Sequence, residues 1–306
     1  MMSNISAPHF HDEAKAYDYV EARLWPNGAV CPHCGGVERV GKLEGKTTRT
    51  GLWKCYQCRK PFTVKIGTIF EGSKVPMHKW LQAIFLVAGS KKGISSNQLH
   101  RILGVTLKTA WFMSHRIREA MRDDSDFPLG GIGSTVEVDE TFIGREPGKK
   151  VGPSYHHKMK VVSLVERGSG RARSYVVDKV SADEIEPIVA ANVRRETRIM
   201  TDESPVYRFV PFYAADHKRV NHKAGEYVRG TAHTNTIEGY FSIFKRGMRG
   251  IYQHCSKKHL HRYLAEFDFR YSNRSAAGIE DNERADNILR GVIGKRLTYQ
   301  QTGSRA

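Results

Sequence analysis

Three acidic residues fall within four positions of a short apolar stretch. The segment STVEVDETFIG carries Glu137, Asp139 and Glu140 in a chain whose formal net charge is +17. If the segment is a strand, its alternation places Glu137, Asp139 and Thr141 on one face and valines on the other. Such acids are either a solvated strand edge or ligands for a hard cation such as Mg²⁺, which prefers carboxylate oxygens. The segment alone leaves both interpretations open.

Two CxxC pairs near the N-terminus supply four thiols at a spacing typical of zinc sites. The motifs CPHC and CYQC contain Cys31, Cys34, Cys55 and Cys58. Each CxxC turn presents two thiolates to one tetrahedral Zn²⁺, and glycine turns with alternating apolar residues between the pairs predict β-hairpins. A redox role is disfavoured because no βαβ pattern surrounds the motifs. We therefore predict one structural zinc ion in a ribbon of about 45 residues, a module that binds DNA, RNA or protein.

The region from about 134 to 276 has the element order of an RNase H-like fold. Hydrophobic patterns predict three strands followed by a helix, a strand, a helix, a strand and a helix. In that fold, acids from the first strand, from the end of the fourth strand and from a late helix meet around divalent cations. Asp139, Asp202 and Glu238 occupy these places in this order. Two Mg²⁺ ions held about 4 Å apart would activate a water or a 3′-hydroxyl for attack on a phosphodiester.

Residues 71–124 are predicted to be helical. The stretch ISSNQLHRILGVTLKTAWFMSHRIREAM predicts a short helix, a turn at Gly104 and a longer helix capped by Thr106. This is the pattern of a helix-turn-helix, with Lys108 and Arg116 as candidate DNA contacts on its second helix. A plain packing element with a solvated basic face is the alternative.

The composition favours a globular protein with a polyanionic partner. Lysine and arginine number 49 against 32 acids, 40% of the residues are hydrophobic, and no tract is of low complexity. Nucleic acid is the commonest partner of such a chain, although a merely basic protein or one that meets anionic membranes has the same balance. The sequence contains neither a run of 18 apolar residues nor the apolar core of a signal peptide. We therefore expect a cytoplasmic protein whose cysteines are thiols or metal ligands.

These motifs together resemble the DDE transposases of bacterial insertion sequences that carry an N-terminal zinc ribbon, which are related to Merlin-type eukaryotic elements. The resemblance covers nearly the whole chain up to about 275, and it rests on CPHCGG, WKCYQCRKPFTVKIGTIFEGSKVPMHKW, VEVDETFIG, TDESPVY and HTNTIEGYFSIFKRGMRGIYQHCSKKHLHRYLAEFDFRYSNR. It implies a DNA transposase that cleaves the ends of its element and joins the 3′-hydroxyls to target DNA. The implied cofactors are one Zn²⁺ and two Mg²⁺ or Mn²⁺ ions. The implied partners are double-stranded DNA, comprising terminal repeats and target, and further copies of the chain in the bacterial nucleoid.

The resemblance also assigns roles to individual residues. The implied metal-binding triad is Asp139, Asp202 and Glu238. Some members of the group use an asparagine as the third ligand, and Asn235 lies on the same predicted helix face as Glu238. We favour Glu238 because a carboxylate binds Mg²⁺ more strongly than a neutral amide. The basic residues expected to hold DNA near the triad are Lys245, Arg246 and Arg249. Glu137 and Glu140 are expected to be solvated neighbours of Asp139.

We therefore predict an α/β chain with an RNase H-like catalytic domain, an N-terminal zinc ribbon and a helix-turn-helix-like segment. The expected segments are a helical lead-in (1–25), the ribbon (26–70), the helical segment (71–124), the catalytic domain (125–276) and a C-terminal helix with a tail (277–306). Two other functions fit the same motifs. One is a DNA-binding regulator with an inactive RNase H-like domain, and the other is a nuclease of this fold that does not transpose.

Overall fold

The computed structural model describes residues 4–221, 228–230 and 232–298. The end of the predicted tail, from 299 onward, lies outside these ranges. The chain divides into two compact units, Met1–Arg122 with Ile279–Ala306, and Asp123–Gly278. Within the described ranges, no helix is both long enough and apolar enough to cross a bilayer.

The regular elements of the described residues are numbered in chain order. The helices are α1 (Glu13–Leu24), α2 (Met77–Gly89), α3 (Ser96–Leu103), α4 (Leu107–Ala120), α5 (Ala182–Asn192), α6 (Asn235–Gly247), α7 (Lys257–Ser272) and α8 (Asp281–Arg290). The strands are β1 (Val40–Lys42), β2 (Trp53–Cys55), β3 (Pro61–Phe62), β4 (Thr135–Ile143), β5 (Met159–Glu166), β6 (Ala172–Val177), β7 (Arg198–Asp202), β8 (Asp216–Val220), β9 (Val228–Arg229) and β10 (Ala232–His233). A π-helical turn, Met248–Tyr252, follows α6 directly.

The first unit contains a small antiparallel sheet in the order β1-β2-β3, which follows α1 in the chain. Its buried core consists of Cys31, Cys55 and Phe62, with Trp25 and Trp53 packed against it. Three buried side chains are too few to stabilise a sheet of this size, so the ribbon needs a further source of stability, such as a bound metal.

Helices α3 and α4 form the predicted helix-turn-helix arrangement. Ser95 caps α3 by accepting a hydrogen bond from the Gln98 N–H, and Thr106 caps α4 by accepting one from the Thr109 N–H. Gly104 ends α3 in the left-handed conformation (φ 59°), which glycine adopts without the steric cost of a Cβ. The turn at Gly104 and the Thr106 cap are therefore confirmed.

The C-terminal helix α8 packs within the first unit. Its Asp286 accepts hydrogen bonds from Tyr19 (2.7 Å) and from Arg23 Nε (2.5 Å), both on α1. Arg284 donates to the Ala88 carbonyl near the end of α2 (3.0 Å). These contacts, together with the buried Ile288 and Leu289, tie α8 to helices that precede it by more than 190 residues.

The second unit is built on a five-stranded sheet with the order β6-β5-β4-β7-β8. β5 is antiparallel to both β4 and β6, whereas β7 and β8 run parallel to β4. All eight residues of β5 are buried, as expected for a strand covered on both faces. This strand order and these directions are those of the RNase H-like fold, which confirms the fold class predicted from the sequence.

The alternation of β4 divides its side chains between two cores. Val136 and Val138 face the core that contains α5, whereas Ile143 lies in the core beneath α6 and α7.

One detail of the predicted order of elements is wrong. The helix expected between the fourth and fifth strands is replaced by two 3₁₀ turns, Pro205–Tyr207 and Val210–Phe212. Each turn has a proline at its start, where a missing N–H is tolerated.

Candidate metal centre and nucleic-acid-binding residues

Three carboxylates meet where β4 and β7 separate. The two strands pair from Thr135 to Glu137 on β4, and the residues beyond this segment diverge. Asp139 and Glu140 follow on β4, and Asp202 ends β7. Carboxylate oxygens of these three residues all lie within 4.8 Å of one another. This arrangement suits a hard divalent cation, since Mg²⁺ and Mn²⁺ prefer carboxylate oxygens.

The electrostatics of Asp139 show how strongly the acids repel one another. Burial raises the pKa of Asp139 well above its usual value, and the neighbouring carboxylate of Glu140 raises it further. Asp202 and Glu238 add smaller contributions in the same direction. A bound divalent cation offsets this repulsion. It lowers the pKa values of nearby carboxylates, so that they stay ionised. The donor set therefore fits a divalent metal.

Glu238 approaches this group from α6. It is exposed in the first turn of the helix, and its carboxylate accepts a hydrogen bond from the Thr234 hydroxyl (3.0 Å). Its charge acts on Asp139, although among the described residues it lies outside the three-carboxylate group. Asn235 is the first residue of α6 and is exposed, and Thr234 rather than Asn235 occupies the N-cap. The choice of third ligand between Glu238 and Asn235 stays a prediction.

The expectation that Glu140 is a solvated neighbour is wrong. Its carboxylate accepts a hydrogen bond from the fully buried Tyr207 hydroxyl (2.5 Å), and it belongs to the group with Asp139 and Asp202. Burial raises the pKa of Glu140, and the hydrogen bond from Tyr207 opposes that rise. Alternation along β4 assigns Glu140 to the valine face, so the sequence pattern offered no reason to place it beside Asp139.

The same expectation is wrong for Glu137, whose side chain is 0% exposed. Its carboxylate accepts hydrogen bonds from Arg167 Nε (2.5 Å) and from the backbone N–H of Ile237 (2.8 Å). The predicted alternation did place Glu137 on the face of Asp139, which is the face covered by α6. That signal could have indicated burial, because the helix predicted to carry Glu238 must pack on this face.

The four cysteines of the ribbon converge as predicted. Cys31 Sγ lies 3.7 Å from Cys58 Sγ, and Cys34 Sγ lies 3.7 Å from Cys55 Sγ. Tetrahedral zinc with Zn–S bonds of about 2.3 Å requires sulfur atoms roughly 3.8 Å apart. Each CxxC turn contributes two of the four thiols. The group therefore has the geometry of a metal site in which four protein ligands fill the coordination shell.

Two family models match segments of this chain. Residues 128–272 match the family described as ISXO2-like transposase domain, and residues 11–61 match the transposase zinc-ribbon domain. The chain carries an ISXO2-like transposase domain. The four-cysteine group and the carboxylate group lie in the ribbon match and the transposase-domain match, respectively.

One relative matches most of the chain at low sequence identity. A protein described as uncharacterized, in transposable element ISH50 of Halobacterium salinarum, is 27% identical over 282 residues, which cover 85% of this chain and 91% of that protein. Among solved structures, the simian T-cell lymphotropic virus intasome in complex with PP2A regulatory subunit B56 gamma aligns at 14% identity and a TM-score of 0.29. That alignment covers 56% of this chain and 63% of the other, less than two thirds of its length. The magnesium complex of the HTLV-2 integrase catalytic core domain aligns at 14% identity and a TM-score of 0.27, over 45% and 84% of the two chains.

Lys245 lies near the acids, and the other two predicted basic residues are exposed in the turns that end α6 and follow it. Lys245 is half-buried in the last turn of α6 with its ammonium over the Phe241 ring, and the Asp139 charge acts on it. Burial lowers the pKa of Lys245, and the neighbouring Arg249 lowers it further. Arg246 and Arg249 are exposed on α6 and on the π-helical turn that follows. All three positions remain predicted DNA contacts.

The predicted DNA contacts of the helix-turn-helix differ in exposure. Lys108 is exposed near the start of α4 and lines a cleft of about 580 Å³ with Lys74 and Lys79. Arg116 is buried, and its guanidinium donates to the backbone carbonyls of Ile69 and Glu71. The role expected of Arg116 is therefore corrected to a structural one, because its side chain is buried and these backbone bonds hold its guanidinium within the first unit.

Proposed function

We propose that this protein is a metal-dependent DNA transposase, which cleaves the ends of its own element and joins the released 3′-hydroxyls to target DNA. The observation that carries the proposal is the meeting of the Asp139, Glu140 and Asp202 carboxylates inside an ISXO2-like transposase domain. A pair of Mg²⁺ or Mn²⁺ ions, when bound, supplies Lewis-acid stabilisation to the attacking and leaving oxygens of a phosphodiester.

The side chains of the domain have separate tasks in this proposal. Asp139 and Asp202 hold the cations from two adjacent strands, Glu238 completes the set from α6, and Glu140 adds a carboxylate supported by Tyr207. In cleavage, water forms a new bond to phosphorus and the 3′-oxygen of the element leaves as a hydroxyl. In joining, that hydroxyl attacks a target phosphodiester and displaces another 3′-oxygen. Lys245, close enough to Asp139 for their charges to interact, holds a phosphate beside the reacting group.

The remaining parts bind and position DNA. One Zn²⁺ held by the four cysteines stabilises the ribbon, and Lys108 contacts phosphates from the start of α4. Double-stranded terminal repeats and target DNA are the proposed partners, and the charge of +17 suits both. Because an element has two ends that must be joined together, we expect at least two copies of the chain on DNA.

The test uses a labelled linear DNA with the terminal repeats of the element, incubated with purified protein and Mg²⁺ or Mn²⁺. Asp202→Asn is the inactive variant, since it keeps the side-chain shape and removes a ligand charge. Asp183→Asn is the matched control because Asp183 is an exposed acid on α5, which packs on the valine face of the sheet. We expect metal-dependent nicks at the repeat boundary and joined products with the wild type and the control, and neither with Asp202→Asn.

Other outcomes select other functions. Cleavage without joined products, at equal metal and DNA concentrations, would indicate a nuclease of the same fold. Specific binding to the repeats without cleavage in either metal would indicate a DNA-binding regulator. Cleavage by Asp202→Asn at the wild-type rate would remove Asp202 from the site.

A further inference from the structure

We propose that Glu137 is a positioning residue that sets the third acid of the metal centre relative to the first. This inference rests on the proposed function, since it concerns the same acids. It begins from the burial of Glu137, whose side chain is 0% exposed although it carries a carboxylate. A buried charge is costly unless it is paired and hydrogen-bonded, so its partners indicate what it is there to hold.

The first partner is the N-terminus of α6. The first N–H groups of a helix have no acceptor within the helix, and the N–H of Ile237 is one of them. It donates to Glu137 Oε2 (2.8 Å), an acceptor on a strand 100 residues earlier. A carboxylate at this end also interacts favourably with the helix dipole. The next residue after Ile237 is Glu238, so the bond fixes the turn that carries the proposed third ligand.

The second partner is Arg167, which follows β5. Its Nε donates to Glu137 Oε1 (2.5 Å), and its Nη2 donates to the carbonyl of His233 (2.5 Å) and faces His233 Nδ1 (3.1 Å). His233 is the residue before Thr234, the N-cap of α6. The Arg167 backbone N–H also donates to the Thr135 carbonyl on β4 (2.9 Å). Arg167 thus joins β4 to the segment that leads into α6.

These contacts connect the two ligand-bearing elements through one side chain. Asp139 lies two residues after Glu137 on the same face of β4, a separation of roughly 7 Å along a strand. Thr234, fixed between His233 and α6, donates to the Glu238 carboxylate (3.0 Å). Movement of the start of α6 away from β4 would therefore carry Glu238 away from Asp139. Mutation of a group that orients metal ligands in this way typically lowers metal affinity or activity by about 10- to 100-fold.

The test compares Glu137→Gln with Glu166→Gln in the full-length protein. Glu166 is also a buried acid of this sheet, but its carboxylate accepts from the Gly130 N–H and the Ser169 hydroxyl. The probe is Mn²⁺ alone, with binding measured by electron paramagnetic resonance, followed by the metal dependence of DNA cleavage. Asp202→Asn reports the effect of losing a ligand.

We expect Glu137→Gln to weaken Mn²⁺ binding about tenfold or more and to raise the metal concentration needed for cleavage by a similar factor. Binding of the terminal repeats should remain within about twofold of the wild type, and Glu166→Gln should resemble the wild type. Glu137→Asp, which keeps the charge, should recover part of the affinity.

Equal Mn²⁺ affinities for Glu137→Gln and the wild type would overturn the proposal. Equal losses in Glu137→Gln and Glu166→Gln would also overturn it, because the effect would then be one of general stability. If the wild type binds Mn²⁺ but never cleaves DNA, the transposase proposal fails, and the Mn²⁺ comparison still decides the role of Glu137.

Discussion

At the scale of single residues, the proposed chemistry depends on acids held closer together than their charges favour. Asp139, Glu140 and Asp202 repel one another, and burial adds to the cost of ionising them. Such a group is stable only with a cation, with protons or with firm hydrogen bonds. The Tyr207 hydroxyl provides one such bond to Glu140.

The third ligand can be assigned by comparing Glu238→Gln with Asn235→Ala. We expect Glu238→Gln to slow cleavage more than about 100-fold, beyond the range typical of groups that only support a ligand. Asn235→Ala should cost less than about tenfold, because a neutral amide contributes less to a Mg²⁺ site than a carboxylate. Single-turnover cleavage at several Mg²⁺ concentrations is the measurement. The opposite ranking of the two variants would transfer the role to Asn235.

A second titratable site tests the electrostatics outside the metal centre. Asp268 on α7 accepts hydrogen bonds from the Ser174 N–H (2.8 Å) and from the Tyr240 hydroxyl (2.6 Å). Burial raises the pKa of Asp268 to about 6, and these hydrogen bonds oppose the rise. In the unfolded chain the carboxyl titrates near its usual value of 3.8. Between pH 7 and 4 the folded state therefore binds more protons than the unfolded state, so this group stabilises the fold as the pH falls.

The expected result is a pH-dependent difference between the wild type and Asp268→Asn. The free energy of unfolding of the wild type, minus that of the variant, should rise by about 1–2 kcal/mol from pH 7.5 to pH 4.5. Urea unfolding at fixed pH values measures it. Taking the difference cancels other titrations, including loss of metal from the ribbon. A difference that stays constant or falls over this range would contradict the raised pKa.

At the scale of elements, the ribbon and the α3–α4 pair owe their geometry to local signals, but they differ in how they are stabilised. The α3–α4 turn is fixed by a left-handed glycine and two side-chain caps. The ribbon has three short strands over a buried core of Cys31, Cys55 and Phe62. We therefore expect the ribbon to depend on a bound metal for its stability.

Removal of zinc is expected to unfold the ribbon. The purified protein should contain one zinc per chain, and Cys55→Ser should contain less than half of this amount. The ring centroids of Trp25 and Trp53 lie 5.8 Å apart at the ribbon core. Addition of a chelator should therefore change tryptophan fluorescence as the ribbon unfolds. Cys255→Ser is the matched control, since Cys255 lies in the second unit. One zinc in Cys55→Ser, or none in the wild type, would contradict the site.

At the scale of the whole molecule, the net charge of +17 is a property of the overall composition rather than of any single helix or strand. The chain is also discontinuous, since residues 279–306 belong to the same unit as residues 1–122. The transposase domain is thus an insertion between two parts of the first unit. Truncation after α7 would remove α8 from its contacts with α1 and α2, so DNA binding should be tested on the full chain.

The net charge predicts strongly salt-dependent DNA binding. If about six phosphates are neutralised, the logarithm of the binding constant should fall with the logarithm of salt at a slope of about −5. Lys245→Gln should reduce the slope by about 1, whereas Arg116→Gln should leave it unchanged because Arg116 binds backbone carbonyls. Fluorescence anisotropy from 50 to 200 mM salt measures this, with protein stability checked for both variants. An affinity independent of salt would exclude phosphate contacts as the main source of binding.

Much of this protein follows from short-range patterns. The CxxC spacing predicted the four-thiol group, in which Cys31 meets Cys58 and Cys34 meets Cys55 across the two turns. Alternation determined which face of β4 carries Asp139, and the order of strands and helices indicated the RNase H-like fold. Glycine and threonine at fixed positions determined the turn between α3 and α4.

The tertiary structure decided which charged side chains are buried and what they contact. In the sequence, Glu137, Glu140 and Arg116 cannot be distinguished from solvent-exposed charged residues. In the structure, each is hydrogen-bonded to a partner distant in the chain. Burial depends on which element covers a residue, and that element can lie 100 residues away, as Ile237 does from Glu137. Local spacing fixes the direction of a side chain, whereas its partners, its burial and its charge state are fixed only when distant elements pack.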